Sequence, residues 1–455
     1  MTKQVKEFFK SIDGIIHTTL NPRGVGVARI HLIPPRKLTP RISWVVIING
    51  LHIIPINTSW AILLTLFIRE LNLHGHSNMS DDEMNEILKA TVAATEKVFP
   101  KTSSKVLLSD LGDIIETITD LAKGVTPPIE IGHMTLSQYA KYMRSPHRMD
   151  LLISPMMEKN HWNCNQKCLH CYAGVQPLAS TTSLSTSQWK EVINRCKSAY
   201  IPQITFTGGE PTMREDLVEL VGYASWFVTR LNTNGIKLTS KLCAELYEAS
   251  LDSVQVTLYS SNPEIHNTLV GGNHFDDTVD GIKNALANQL NLSINTPLCT
   301  KNQDYLSTLK FVKELGVEFV SCSGLILTGN ASHQTDSQLT ENELETVLEK
   351  ACAFTKSNQM ELSFTSPGWV SEEKLTSLGL TIPSCGACLS NMAIAPNGDV
   401  VPCQSWLSDE ALGNMLKMPW NLIWNGKRCK AIRSQSKQLK DQCPLSKNLR
   451  REHLS

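Results

Sequence analysis

The chain predicts an α/β fold: a parallel sheet of repeated strand–helix units, with a small hairpin-and-helix domain in front and a cysteine-rich α+β piece behind. Three observations lead there. Six short apolar runs between 151 and 325 are separated by helix-length segments, the pattern of βαβ units. Ahead of residue 125 the pattern is instead a hairpin followed by three helices. Beyond residue 376 two short strands meet at a tight turn among closely placed cysteines.

At 455 residues there is room for two or three domains, and 41% apolar content is ordinary for a globular protein. The 43 basic and 43 acidic residues balance, which gives no support to nucleic-acid binding through a basic surface. Thirteen cysteines suit a reducing compartment and metal binding better than a disulfide scaffold. The opening MTKQVKEFFKSIDG lacks the apolar core of a signal peptide. The most apolar stretch, 44–68, is broken by Asn49, Gly50, His52, Pro55 and Asn57, so no membrane span is expected. A cytoplasmic protein is the expectation.

Residues 1 to about 30 show little pattern and read as an arm or a strand. LTPRISWVVIINGLHIIPINTSWAILLTLFIREL then reads as strand, Asn49-Gly50 turn, strand and helix, capped by Thr58 or Ser59. Ser80 and Glu83 form a capping box for a second helix through Thr95. A third opens at Ser109 or Asp110 and ends at Gly124. Two strands and three helices in this length predict a winged-helix-like domain over 1–125. A linker over 126–147 follows, marked by VTPPIEIG with its two prolines and carrying a short helix around 136–143. Strands are then expected at 151–156, 203–207, 226–232, 253–259, 292–297 and 318–325, within a core of 148–330. A helical connection covers 331–375, and the cysteine-rich domain 376–455.

The densest chemistry lies in WNCNQKCLHCYAG, where Cys164, Cys168 and Cys171 make a C-x3-C-x2-C pattern. Three thiolates so close can hold three irons of a [4Fe–4S] cube and leave the fourth open to a substrate or cofactor. Structural zinc is the alternative, although zinc takes four ligands and the x3 spacing is unusual for its knuckles. QITFTGGEPTMREDL follows as a strand, a glycine turn and a helix starting near Met213. Gly208 and Gly209 allow close backbone approach, and Glu210 is placed to receive an ammonium group. The cysteine loop, GGEP, NTNG and Tyr259-Ser260 all fall at the C-terminal ends of expected strands, where sites collect in such folds.

In these motifs, from about residue 151 to 330, the chain resembles the radical S-adenosylmethionine (SAM) family, and KCLHCY is typical of its subgroup with an extra C-terminal cluster domain. The resemblance implies a partial (β/α)6 TIM-like barrel. It implies a [4Fe–4S] cluster on Cys164, Cys168 and Cys171, with SAM chelating the open iron. Reductive cleavage in that family yields methionine and a 5′-deoxyadenosyl radical that abstracts hydrogen. By resemblance Gly208, Gly209 and Glu210 meet the methionine amino group, Tyr172 lies near the adenine, and Asn234 and Thr257 lie near the methionine or ribose. For Asn234 a simple turn role is the alternative. The family often has His-Asp-x-x-Arg-Gly after the fourth strand; here His266 to Gly271 puts Val270 at the arginine, so another group must neutralise the SAM carboxylate.

Farther on, Cys385, Cys388, Cys403 and Cys443 can close around one more [4Fe–4S] cluster, because the Pro396-Asn397-Gly398 turn brings Cys403 back toward the C-x2-C pair. A four-cysteine zinc site fits the same spacing. The pattern resembles the auxiliary-cluster (SPASM) domains of radical SAM enzymes, in the short "twitch" form with one cluster. Cys388 stands where that family often has glycine, and Cys429 is a spare candidate. Cys196, Cys243, Cys299, Cys322 and Cys352 have no paired spacing and read as buried small residues.

NGLHIIPINTSWAILLTLF and DLGDIIETITDLAKG resemble the recognition domains of ribosomal-peptide maturases, which bind a leader peptide as an added strand. An ordinary winged helix, or a docking domain for the barrel, is the alternative. The expected function is a radical SAM maturase of a ribosomally made peptide, forming a thioether, a crosslink, an epimer or an excision. Its expected partners are a precursor peptide with its leader and a reductant such as flavodoxin or ferredoxin, with no nucleic acid and no membrane. The auxiliary cluster would accept an electron or ligate substrate. The alternative is a radical SAM enzyme acting on a small molecule in cofactor or tetrapyrrole biosynthesis; a binding protein with degenerate metal sites is argued against by the intact cysteine triad and GGEP.

Overall fold

The structure is a computed structural model that describes residues 2–12, 14–20, 28–35, 38, 44–48, 52–75, 79–122, 145–159, 161–408, 410–439 and 442–445. The Asn49-Gly50 turn, the helix end at Gly124, VTPPIEIG and the 136–143 helix lie outside the described residues. Two compact units are present, one of Met1–Arg144 with Trp226–Val228, the other of Ser145–Ser225 with Thr229–Ser455.

The first unit opens with α1 (Lys3–Lys10), capped by Thr2, whose hydroxyl accepts from Val5 N at 3.3 Å. β1 (Ile16–Leu20), β2 (Ala28–Ile33), β3 (Trp44–Ile48) and β4 (His52–Ile56) form an antiparallel sheet in that order. The opening segment, read as an arm or a strand, thus holds a helix and two strands. The runs are too short to show a period, and they become strands by pairing, from Ile16↔Leu32 to Leu20↔Ala28. α2 (Thr58–His74) is capped by Asn57 rather than Thr58 or Ser59, Asn57 Oδ1 accepting from Trp60 N at 2.9 Å. α3 (Asp81–Val98) opens on the expected Ser80–Glu83 box. α4 (Ser104–Ala122) starts ahead of the expected Ser109 or Asp110, because Leu107 belongs to the same buried stripe as Leu111, Ile114, Ile118 and Leu121. Leu111, Ile114, Ile118 and Leu121 of that stripe pack with Ile30, Leu32, Trp44 and Phe67 in one core.

The second unit starts with β5 (Arg148–Ser154), the two-residue β6 (Met157–Glu158) and β7 (His161–Trp162), and α5 (Thr186–Ser198). The repeat continues as β8 (Gln203–Gly208), α6 (Leu217–Tyr223), β9 (Val228–Thr233), α7 (Ser240–Glu248) and β10 (Ser253–Thr257). Then come α8 (Pro263–Val270), α9 (Phe275–Ala287), β11 (Leu292–Pro297), α10 (Tyr305–Glu314) and β12 (Phe319–Ser323). β5, β8, β9, β10, β11 and β12 are neighbours in that order, with β5–β8 and β9 through β12 paired in parallel, the expected six-stranded partial barrel. The helix expected near Met213 is a 3-10 turn over Pro211–Met213, and α6 begins only at Leu217.

Two features extend this sheet. After α11 (Glu341–Ser357), β13 (Glu361–Phe364) adds a seventh parallel strand beside β12, inside the connection read as helical. Beyond α12 (Glu372–Ser377), β14 (Asn391–Ile394) pairs in parallel with β5, from Asn391↔Arg148 to Ile394↔Leu151. β14 turns at 396–398 into the antiparallel β15 (Asp399–Val401), which pairs with β16 (Gly413–Asn414); α13 (Trp420–Asn425) and α14 (Lys427–Leu439) follow. The cysteine-rich piece therefore continues the barrel sheet past its first strand. No helix among the described residues is long and apolar enough to cross a membrane.

Candidate active site and auxiliary metal centre

The loop carrying Cys164, Cys168 and Cys171 leaves β7 and is anchored on every side. Asn163 Nδ2 donates to Ser154 Oγ at 3.2 Å and to the Pro155 carbonyl at 3.1 Å, at the end of β5. Lys167 N and Leu169 N donate to the carbonyls of Val270 and Leu269, at 3.0 and 2.9 Å. These are last-turn carbonyls of α8, which have no partner within their own helix. Gly271 follows at φ +71°, where a Cβ would lie 2.5 Å from the Lys167 carbonyl. Asn234 Nδ2 donates to Asn165 Oδ1 at 2.6 Å, and Asn330 closes the loop by donating to the carbonyls of Cys171 and Cys168.

The three thiols lie close enough for their charges to interact. The residues keep some exposed surface, yet the thiols are enclosed: burial pushes Cys164 up to about 12, and raises Cys168 and Cys171. Against this, backbone N–H groups donate to the sulfurs, Gln166 N to Cys164 and Ala173 N and Gly174 N to Cys171. Amide donors aimed at crowded thiols fit sulfurs held as thiolates by iron. Among the described residues no three His, Cys, Asp or Glu converge on a point for a single ion; thiolates of a cubane each take a separate iron and do not require it.

Around the triad, Gly208 ends β8 at φ +141°, and a Cβ there would lie 2.3 Å from the Ser154 carbonyl. Gly209 N donates to that same carbonyl at 2.7 Å. The two glycines therefore let β8 close onto β5. Glu210 is buried; its Oε1 accepts from Thr212 N, Thr212 Oγ1 and Thr233 Oγ1, and its Oε2 from Asn234 N at 2.8 Å. Burial raises its pKa and these donors oppose the rise. Oε1 is saturated, so Oε2 is the oxygen with capacity left for an ammonium group. Asn234 spends its amide on Asn165 and its Oδ1 on Ile236 N. It joins NTNG to the cysteine loop, in addition to the turn role the sequence allows. Thr257 is the half-buried last residue of β10. Tyr172 bonds its hydroxyl to Thr207, and its side chain packs in the apolar core with Leu152, Ala393 and Leu407. Val270 is buried, so no cation stands there.

The C-terminal cysteines come from separate segments. Cys385 and Cys388 precede β14, Cys403 follows β15, and Cys443 lies past α14. The thiols of Cys385, Cys403 and Cys443 feel one another's charge, and burial raises those of Cys385 and Cys403. Ala387 N and Ser405 N donate to Cys385 and Cys403, so this group too suits thiolates on iron. Cys388 makes its closest link elsewhere: its thiol hydrogen-bonds that of Cys429 on α14, which Arg433 also faces. That contact raises Cys388 and lowers Cys429.

Sequence reasoning passed over three residues. His170, inside the triad motif, is buried with neither ring nitrogen hydrogen-bonded, and its ring lies 6.5 Å from that of Tyr259. Burial first, and then the charge of Lys301, lowers its pKa. Lys301 sits in the turn after β11 that Asn302 pins to the Tyr259 carbonyl at 2.8 Å. Gln176, also buried, joins the two cysteine regions: its amide donates to the Tyr172 and Ser405 carbonyls, and its oxygen accepts from Leu407 N at 2.9 Å. Nothing in the sequence marks it, since its partners in the second cysteine region lie 229 and 231 residues away.

Residues 163–315 match the family model of the radical SAM superfamily, and 385–445 that of an iron–sulfur cluster-binding domain, SPASM. An AdoMet-dependent heme synthase of Oleidesulfovibrio alaskensis is 30% identical over 207 residues, 45% of this chain and 53% of that protein, so the match spans about half that relative's length. One of Methanosarcina barkeri is 24% identical over 300 residues, 62% of this chain and 85% of that protein. Among solved structures, Streptococcus suis SuiB bound to precursor peptide SuiA superposes with a TM-score of 0.57 at 12% identity, over 86% of this chain and 88% of that one. Native anSMEcpe with bound AdoMet and a peptide reaches 0.50 at 16% identity, over 64% and 83%. These two likenesses show the fold.

Proposed function

We propose, from the premise that the chain is a radical SAM enzyme with a SPASM iron–sulfur domain, that it modifies a ribosomally made precursor peptide. The observation that carries this reading is a sheet edge in the first unit. Among the described residues β4 pairs only with β3, and Pro55 stands opposite Val45. Proline has no N–H, so Val45↔Pro55 is a non-hydrogen-bonded pair, and by alternation Ile47↔Ile53 is another. The N–H and C=O of Ile53 then face away from β3, as an added peptide strand requires. At the opposite edge the outward carbonyl of His17 on β1 already accepts from Asn72 Nδ2 at 2.9 Å. The fold likeness to peptide-bound SuiB runs over 86% of this chain, which supports the same reading.

In the barrel, Cys164, Cys168 and Cys171 hold three irons of the first cluster. With SAM and an electron from a flavodoxin or ferredoxin, a cluster held there would supply the radical chemistry of hydrogen abstraction. The chain's own residues bind and orient. Glu210 Oε2 and the backbone of Gly208 and Gly209 receive the methionine ammonium, and Asn234 and Thr257 border the methionine or ribose. His170, with two unpartnered nitrogens, is better placed than Tyr172 to meet the adenine. Lys301 brings the positive charge that Val270 lacks. Cys385, Cys403 and Cys443, with Cys388, would hold the auxiliary cluster, which would supply electron transfer or a substrate ligand.

A second reading, an iron tetrapyrrole as substrate, is favoured by the 30% and 24% identity to heme synthases. Anaerobic full-length protein with SAM and dithionite separates the two. One reaction receives a synthetic peptide from a short reading frame beside this chain's gene, the other a propionate-bearing iron porphyrin. Peptide-dependent 5′-deoxyadenosine with a changed peptide mass supports the first reading. Turnover of the porphyrin alone replaces it with the second.

A further inference from the structure

The inner wall of the barrel carries a polar cluster that the chemistry described above does not use. β10 and β11 alternate between fully buried and half-buried residues. Val254, Val256, Ile294 and Thr296 are buried. Val256 faces the helices: a Cβ on Gly235 would lie 2.9 Å from its Cγ1 and 3.6 Å from Thr278 Cγ2 on α9. Successive side chains point to opposite faces of a sheet, so the half-buried Gln255, Thr257 and Asn295 face inward. Asn295 stands opposite Thr257 on β10 and opposite Ser321 on β12. Gln255 Nε2 donates to Ser321 Oγ at 3.4 Å, and Ser321 Oγ donates to Asn295 Oδ1 at 3.0 Å; its other acceptor, the Ile294 carbonyl, is farther at 3.4 Å. Gln255 Oε1 and Asn295 Nδ2 are left with no partner among the described residues, one acceptor and one donor. Turning both amides over exchanges their roles and still leaves one of each.

We propose that Gln255 and Asn295, bridged by Ser321, hold the backbone of the peptide residue that is modified. The inference rests on the peptide reading above and names residues that place that substrate. In an extended peptide the N–H and C=O of one residue point the same way, as they do in a strand pair. They are the complement of the free acceptor Gln255 Oε1 and the free donor Asn295 Nδ2. Ser321 fixes both amides before the substrate arrives, which lowers the ordering cost of binding. Thr257, proposed above to border the methionine or ribose, stands directly opposite Asn295, so the held residue lies next to SAM. The cluster carries no charge and so does not compensate the carboxylates of a porphyrin.

The test uses anaerobically reconstituted full-length protein and the synthetic peptide of the preceding experiment. Its dissociation constant is measured for wild type, Gln255→Met and Asn295→Leu, with iron content and circular dichroism as checks of loading and folding. Each variant is expected to bind about tenfold more weakly. The same peptide N-methylated at the residue that becomes modified lacks the N–H that Gln255 receives. It should bind wild type about tenfold more weakly, and Gln255→Met no more weakly than the parent peptide does, because the same hydrogen bond is lost both times. Wild type that binds both peptides equally overturns the proposal whether or not the variants fold. Losses that add in Gln255→Met overturn it too, since Gln255 then does not receive that N–H. Failure of the reading beneath looks different: the peptide keeps its mass while the iron porphyrin is turned over, and the inference falls with it.

Discussion

The two cysteine regions hold sulfur in opposite ways. The first is local: Cys164, Cys168 and Cys171 lie on one loop, with amide donors from that loop, and neighbouring elements clamp it as a single piece. The second is assembled from the turn before β14, the end of β15, α14 and the segment after it, with Ser436 facing the Cys385 sulfur 51 residues away and Arg433 the Cys388 carbonyl 45 residues away. A local site announces its ligands by spacing. An assembled site leaves a choice, here between Cys388 and Cys429, that packing must settle. Yet both regions sit on one sheet, because β14 lies beside β5, and Gln176 ties their loops together.

The largest effect separates the two regions outright. Alanine at Cys164, Cys168 and Cys171 together is expected to abolish dithionite-driven 5′-deoxyadenosine formation and to lower iron from about eight to about four per chain. Retained SAM cleavage would refute the triad, and a fall from about four irons to none would turn the C-terminal cysteines toward zinc or a purely structural role.

A smaller effect tests the tie between them. Gln176→Ala leaves the Ser405 carbonyl and Leu407 N buried without their partner, which costs about 2–6 kcal/mol at about 1–3 for each orphaned group. Thermal melting of the reconstituted protein should show a lower midpoint, and both clusters should lose iron faster to a chelator. Faster loss from only one of them would mean that Gln176 serves that loop alone.

The smallest effect belongs to the triad side only. His266, on the helix that carries the cysteine loop, is held down to about 4, first by burial and then by His274. It is neutral when folded, while the unfolded chain binds its proton near the usual 6.5. Stability is therefore complete above pH 6.5 and falls as the pH drops toward 4, by about 2 kcal/mol at pH 5. Melting at pH 7 and pH 5 should show a drop to which His31 and His147, also held low by burial, contribute as well, and His266→Gln should make it smaller by about 2 kcal/mol. An unchanged profile would assign the proton to another group.

The βαβ repeat, the capping box at Ser80 and the triad with its GGEP strand end were legible in the sequence, because each is written in spacings shorter than one helix or one strand. So were the hairpin before Cys403 and the C-x2-C pair. Three things were decided only by the tertiary structure. β1 and β2 gain their identity from pairing with each other and with β3, since five or six residues carry too weak a period alone. β14 joins β5 across more than two hundred residues, which no local pattern encodes. Cys388 turns toward Cys429 because a left-handed backbone and the Arg433 guanidinium aim it there. Chemistry carried by neighbours in the chain can be read from residue spacing, whereas chemistry carried by neighbours in space depends on long-range pairing and burial, which exist only once the chain has folded.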